Sequence, residues 1–217
     1  ALGQVIDMRE WRRACHIRGL RAPEALLPEL ASRNLVGLAR GGFTFAHGML
    51  CESLARTARE AGRWRGHHAA IARAMAAADA ETPQASERLA THLLAAGEHE
   101  RAFAPLCEAC LERHDFGEGE RMRQLVEALE ASLRSRELPE EHPHRVRLWC
   151  LQVRLARLEG DPEGTPARAA QAVDLAARWG WRSELAEALE VQSQVHEDEG
   201  DLAAAIELLE QAVRLHE

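Results

Sequence analysis

From position 47 to the end, apolar residues recur every three or four places, and glycine or proline breaks the recurrence at intervals. The pattern is plainest over Ala186 to Glu217, AEALEVQSQVHEDEGDLAAAIELLEQAVRLHE, where two amphipathic segments meet at Gly200-Asp201. Leu189 holds a large-residue position and Ser193 a small one, while Ala205, Leu209 and Ala212 mark the second segment. Small side chains let two helices approach closely, and larger ones fill the remaining gaps. The same reading predicts helices over 47–61, 64–79, 84–96, 99–114, 117–136, 141–159, 163–178, 182–199 and 201–216. Turn signals separate them at Gly62, Thr82-Pro83, Gly97, Gly117, Gly119, Pro139, Pro143, Gly160-Asp161, Gly180 and Gly200-Asp201.

The segments repeat. GDPEGTPARAAQAVDLA, from Gly160, aligns without a gap on GDLAAAIELLEQAVRLH, from Gly200, so that Trp149 matches Leu189 and Ala172 matches Ala212. A third copy centres on Gly97, with Leu89, Ala90, Ala102, Leu106 and Ala109. This spacing of small and large residues resembles the tetratricopeptide repeat, although the 40-residue step from Gly160 to Gly200 exceeds the usual 34. Pro105 and Gln192 depart from the pattern. A single helical hairpin cannot bury its apolar face alone, so the hairpins are expected to stack as a right-handed α-solenoid.

Residues 1–46 read differently. Asp7 can cap a helix, with Glu10 three places on, and that helix runs through Trp11, Ala14 and Cys15 to Gly19. A second helix follows Pro23 with Leu26, Leu27 and Leu30; Pro28 inside it starts a fresh turn. Leu35 to Ala39, the turn Arg40-Gly41-Gly42, and Phe43 to Phe45 read as a β-hairpin. Helix, helix, hairpin is the winged-helix order. The expectation is an all-α chain with a winged-helix-like module at 1–46 and a helical repeat domain at 47–217.

Composition narrows the chemistry. All 27 basic residues are arginine, and with no lysine there can be no Schiff-base or phosphate-loop lysine. A net charge of −8 argues against general affinity for nucleic acid or an anionic membrane. No apolar run reaches the length of a membrane span, and the N-terminus lacks a signal-peptide pattern. Five scattered cysteines fit a reduced, cytoplasmic chain. The start at Ala1-Leu2-Gly3 without Met reads as a piece of a longer protein.

Leu35, Val36 and Leu38, the run FTFAHGMLCESL from Phe43 to Leu54, and RLATHLLAAGEHERAF from Arg88 to Phe103 together resemble the region that follows the NTPase core in bacterial STAND-type signalling ATPases. These include maltose-regulator-like activators and serine/threonine kinases fused to an ATPase and repeats. The resemblance implies a non-catalytic regulatory arm, with an upstream NTPase domain in the same chain and repeats that dock a protein or peptide. His47 matches the family's histidine after the second Phe, which implies a nucleotide-sensing role in the parent protein. The chain itself has no Gly-rich phosphate loop and no kinase motif.

Partner contact is expected on a concave groove lined by the first helices, 84–96, 141–159 and 182–199, with Arg147, Gln152, Arg154, Gln192 and His196 as its polar lining. Such a lining suits an acidic peptide or another helix. Trp179 and Trp181 flank Gly180 between hairpins, either as a binding surface or as a staple. Two other classes stay open: a small-molecule sensor with Trp149 at a pocket wall, and an oligomerisation arm. Cys107, Cys110 and His114 share one helix face, where a metal would need a fourth ligand such as His92 or His99. The cysteines also fall beside the packing positions Leu106 and Ala109, so no metal or cofactor is expected. Arg9, Arg12, Arg13, Arg18 and Arg21 are locally basic, but Glu24 and Glu29 on the second helix oppose phosphate contact. His67-His68 and His142-Pro143-His144 read as solvated turn histidines, and Glu197-Asp198-Glu199 as a solvated helix end. No acid, base and nucleophile assemble into an enzyme.

Overall fold

The computed structural model describes residues 5–77, 84–161 and 163–216. The chain is mostly helical, with one three-stranded sheet, and divides into two compact units, Ala1–Ala102 and Phe103–Glu217. Among the described residues, no helix is long and apolar enough to cross a membrane.

The first unit opens with strand β1 (Val5–Asp7) and helix α1 (Met8–Ile17). Asp7 caps α1, its Oδ1 accepting from the amides of Arg9 at 2.7 Å and Glu10 at 3.0 Å. Glu10 does not complete a capping box; its carboxylate accepts from Arg88 Nη2 at 2.7 Å. A 3₁₀ turn (Glu24–Leu26) leads into α2 (Leu27–Ser32), where Pro28 occupies the first turn and has no helical N–H to lose. Strands β2 (Val36–Ala39) and β3 (Gly42–Phe45) follow. The sheet order is β1-β3-β2, antiparallel throughout, with Ile6 and Leu38 both opposite Phe43. Gly42 is required there, because a Cβ would meet the Ile6 carbonyl oxygen at 2.1 Å. The inner face buries Ile6, Leu27, Val36 and Phe43, and Trp11 sets its ring edge-on to Phe43 at 5.3 Å. β1 has no signature in the sequence. Three residues are too few for alternation to register, and the pairing with β3 makes them a strand.

Three helices complete this unit: α3 (Gly48–Glu60), α4 (Trp64–Ala76) and α5 (Ala85–Ala96). Ala14 of α1 packs against Ile71 and Ala74 of α4. The end of the helix expected over 64–79 and the turn at Thr82-Pro83 fall within 78–83, outside the described residues.

The first turn of α6 (His99–Asp115) contains the division between the units. The second unit continues with α7 (Gly119–Ser135), α8 (Pro143–Glu159), α9 (Thr165–Trp179), α10 (Arg182–Glu199) and α11 (Leu202–His216). α8, α9 and α10 interlock through small residues: Val146, Cys150 and Val153 meet Ala169, Ala172 and Ala176, then Ala188 and Val191. α8 and α10 end alike. Gly160 and Gly200 take φ of +71° and +82°, and the next residue donates its amide to a carbonyl one turn back, Asp161 to Ala156 and Asp201 to His196, each at 2.9 Å. Only glycine adopts this left-handed closure without strain. On α11, Ala205 and Ala212 are buried, whereas Leu202, Ile206, Leu209 and Val213 stay exposed. Leu209 therefore differs from Ala169, one repeat earlier, which is buried.

Candidate functional site

Within the second unit, α8 lies against α10, and polar residues tie the two helices together. Arg147 Nε donates to Glu187 Oε2 at 2.9 Å, and Arg154 Nη1 to Gln194 Oε1 at 3.5 Å. Both pairs are 40 residues apart, the step from Gly160 to Gly200. Each arginine thus grips the residue that occupies its own place one repeat later. Arg157 extends the row: Nε and Nη2 fork onto Asp198 at 2.5 and 3.0 Å, and Nη1 reaches Gln194 at 2.7 Å. At the other end, the His144 ring stacks on Phe103 of α6 with centroids 3.5 Å apart, and Arg136 Nη1 donates to His144 Nδ1 at 3.2 Å.

The charges along this row are mostly matched. Burial works against the Arg147 cation, but Glu187 outweighs it and holds the guanidinium above its usual pKa. The hydrogen bond from Arg157 holds Asp198 below the ordinary carboxylate range. His144 is pushed down to about 4, first by burial and then by His142, Arg136 and Arg147. Arg147 and Arg157 meet carboxylates, but Arg154 meets only the neutral amide of Gln194, so the row keeps an excess of positive charge. Arg154 Nε is buried without a hydrogen-bond partner, and so is Arg145 Nε. A buried, unpaired donor is costly, and it invites an acceptor.

The expected groove residues divide between two sides. Arg147 and Arg154 stand on the α8–α10 seam. Gln152 lies five residues from Arg147, and Gln192 five from Glu187, so each is turned about 140° away around its helix. His196 is turned about 180° from Glu187; its Nδ1 is buried and 3.6 Å from Glu199, too far for a hydrogen bond. Trp149 is half-buried against the apolar core, and Trp181 packs there too. Trp179 is exposed, its ring stacked on Trp181 at 6.1 Å and 12°.

His47 is exposed at the N-cap of α3, with extended backbone and no side-chain cap bond. Cys107 and Cys110 are buried, and burial pushes the Cys107 thiol up to about 12, so it packs as an apolar residue. His114 sits partly exposed beside Asp115 at 3.3 Å. Among the described residues, no group of three His, Cys, Asp or Glu is placed to hold a metal ion. His92 is buried and hydrogen-bonded elsewhere, as described next. Arg12 of the basic N-terminal region forks onto Glu24 at 2.6 and 2.7 Å, and on the second helix Glu29 is taken up by Arg33 at 2.7 Å.

Two histidine expectations are overturned. His68 is 4% exposed, not solvated, because α4 starts at Trp64 and carries His68 onto the face toward α5. Its Nδ1 lies 3.0 Å from Nδ1 of His92, while Trp64 packs on the same ring at 4.2 Å. Both imidazoles are pushed down to about 4, first by burial; His92 adds repulsion to His68, and Arg88 adds it to His92. His144, stacked on Phe103, is half-buried as well. A 24-residue separation gave no sequence signal for the His68–His92 pair.

Compared with known proteins, the chain matches no family model, no curated protein and no solved structure.

Proposed function

We propose that this chain is a non-catalytic, partner-binding regulatory segment, built as a winged-helix-like module and tetratricopeptide-like hairpins. The observation that carries the reading is the pairing of Arg147 with Glu187 and of Arg154 with Gln194 at one repeat's distance. Such pairing belongs to hairpins stacked in translation, whose first helices form a continuous face. The face has a partly unpaired arginine, Arg154, at its middle. The element order β1-α1-α2-β2-β3, with the strands paired β1-β3-β2, supports the winged-helix part. The partner is an acidic peptide or helix that supplies carboxylates to this row. On the resemblance, carried by residues between Leu35 and Phe103, to the region after the NTPase core of STAND-type ATPases, the segment serves a bacterial signalling protein of that kind.

Site-specific photo-cross-linking tests this. A photoreactive residue replaces Arg154, or Arg168 on the exposed side of α9, in the full-length protein in its native cell. A partner captured from position 154, absent from 168, and lost when Arg147→Glu and Arg157→Glu are added supports the reading. Equal capture from both positions, or none from 154, refutes it.

A further inference from the structure

Beneath α3, within the first unit, is a cleft of about 740 Å³. Its apolar lining includes Trp11, Leu27, Phe43, Leu54 and Ile71. α3 itself has no buried residue, although Cys51, Leu54, Ala55 and Ala58 line the cleft along one side of the helix. This is an anomaly on two counts. A 13-residue helix does not persist in water on propensity alone and needs its apolar side covered. Protein interiors also leave few voids larger than a water molecule, and this volume falls in the range of small-molecule pockets, roughly 300 to 1,000 Å³.

The rim is cationic. Arg18, Arg59 and Arg63 all line the cleft, all are exposed, and among the described residues none of them forms an ion pair. The Arg59 guanidinium is parked 3.9 Å over the Trp64 ring. Arg18 Nη1 crosses from α1 to the α4 backbone at Gly66, at the point where a Cβ would stand 2.2 Å away. Arg18 thereby reaches the first turn of α4, whose N-cap is Arg63, and burial together with both cations depresses the pKa of the lining residue His67. Among the described residues, Glu52 is the single carboxylate of the lining. Arginines left unpaired beside an apolar cleft contrast with Arg12, Arg33 and Arg88 of the same unit, each matched by a glutamate.

We propose that this cleft binds an amphipathic monoanion, a carboxylate with an apolar body, and that α3 closes over it. The body lies between Trp11, Phe43 and Leu54. The carboxylate sits between Arg18 and Arg63, where each guanidinium offers paired N–H donors matched to a planar anion. This site is independent of the α8–α10 face, and either can fail alone.

Calorimetric titration of the full chain with decanoate, and with decanol as its uncharged counterpart, tests the proposal. Decanoate is expected to bind at one site and about tenfold or more tighter than decanol. Arg18→Gln with Arg63→Gln removes that advantage and leaves decanol affinity unchanged. Neither arginine makes an ion pair within the described residues, so the variant keeps its fold, which its far-UV spectrum and melting temperature check. Hydrogen exchange along α3 slows when decanoate is bound. Equal affinity for acid and alcohol, an advantage that survives the double substitution, no saturable binding, or unchanged α3 exchange in the complex overturns the proposal.

Discussion

Acid should loosen the first unit through two rings at its centre. His68 and His92 are 4% and 6% exposed, and each is held neutral by burial, with its pKa lowered from 6.5 to about 4. In the unfolded chain both titrate near 6.5. Between pH 6.5 and 4 the unfolded state therefore binds more protons than the folded one, and stability falls as pH falls through that window. It is fully present above 6.5, and the loss is complete below 4. For one ring the linkage amounts to about 2 kcal/mol at pH 5 and about 3 kcal/mol below pH 4. The hydrogen bond between them shapes the order of events. His68 Nε2 has no partner, so the favoured tautomer puts the His68 proton on Nδ1, toward His92, and leaves an unpaired lone pair rather than an unpaired N–H. His92 Nδ1 then accepts and its Nε2 already carries a proton, so a first added proton goes to the free lone pair of His68 Nε2 with least disturbance, and a second must break the pair.

Hydrogen exchange by mass spectrometry at pH 7 and pH 5, with rates corrected for the intrinsic pH dependence, reads this directly. Peptides from α4 and α5 should lose about 2 to 4 kcal/mol of protection at pH 5. The double replacement His68→Phe and His92→Leu removes both rings and leaves no unpaired partner behind. In that variant the pH-dependent loss should fall by more than half. The same loss in wild type and double variant would refute the linkage argument, whatever the variant's stability at pH 7.

Three further outcomes follow from packing and charge. Ala172→Leu, at 1% exposure between α8, α9 and α10, should cost about 1–3 kcal/mol in urea unfolding, whereas Ile206→Gln, 58% exposed on α11, should stay within about 0.5 kcal/mol of wild type. A double-mutant cycle on Arg157→Ala and Asp198→Ala should give a coupling of about 0.5–1 kcal/mol, because the Asp198 end of the fork is 54% exposed; a value near zero would mean that the row is not held in solution. Iodoacetamide under native conditions should label Cys107 at least about tenfold more slowly than Cys51, since the Cys107 thiol is buried and its pKa is raised to about 12, and denaturation should abolish the difference.

Helix boundaries were legible because each rests on a local signal. Gly160, Gly180 and Gly200 end their helices in the left-handed conformation, and Asp7 and Pro28 start theirs at the expected places. What sequence pattern does not carry is the rotation of a helix about its axis when both of its sides are covered. α8 is packed against α7, α9 and α10 at once, so its buried residues run nearly all round and give no single apolar stripe. Gln152 and Gln192 are thus turned away from the side that holds Arg147 and Glu187, a rotation the pattern does not announce. Nor does local pattern announce contacts made across long separations, such as β1 with β3 or His68 with His92.

The 40-residue step links these successes and failures. A repeat is visible in sequence as recurring residue types, but its consequence for a site is a relation between unlike residues. Arg147 and Glu187, or Arg154 and Gln194, match in position and differ in chemistry. An alignment that scores likeness discards such pairs, although in stacked hairpins equivalent positions are neighbours. Scanning the chain for charge complementarity at its own 40-residue period finds Arg147–Glu187, the first pair of the α8–α10 row, from the sequence alone. It picks out Arg147, whose counterpart one period on is Glu187, and passes over Arg154 and Gln152, whose counterparts Gln194 and Gln192 are uncharged.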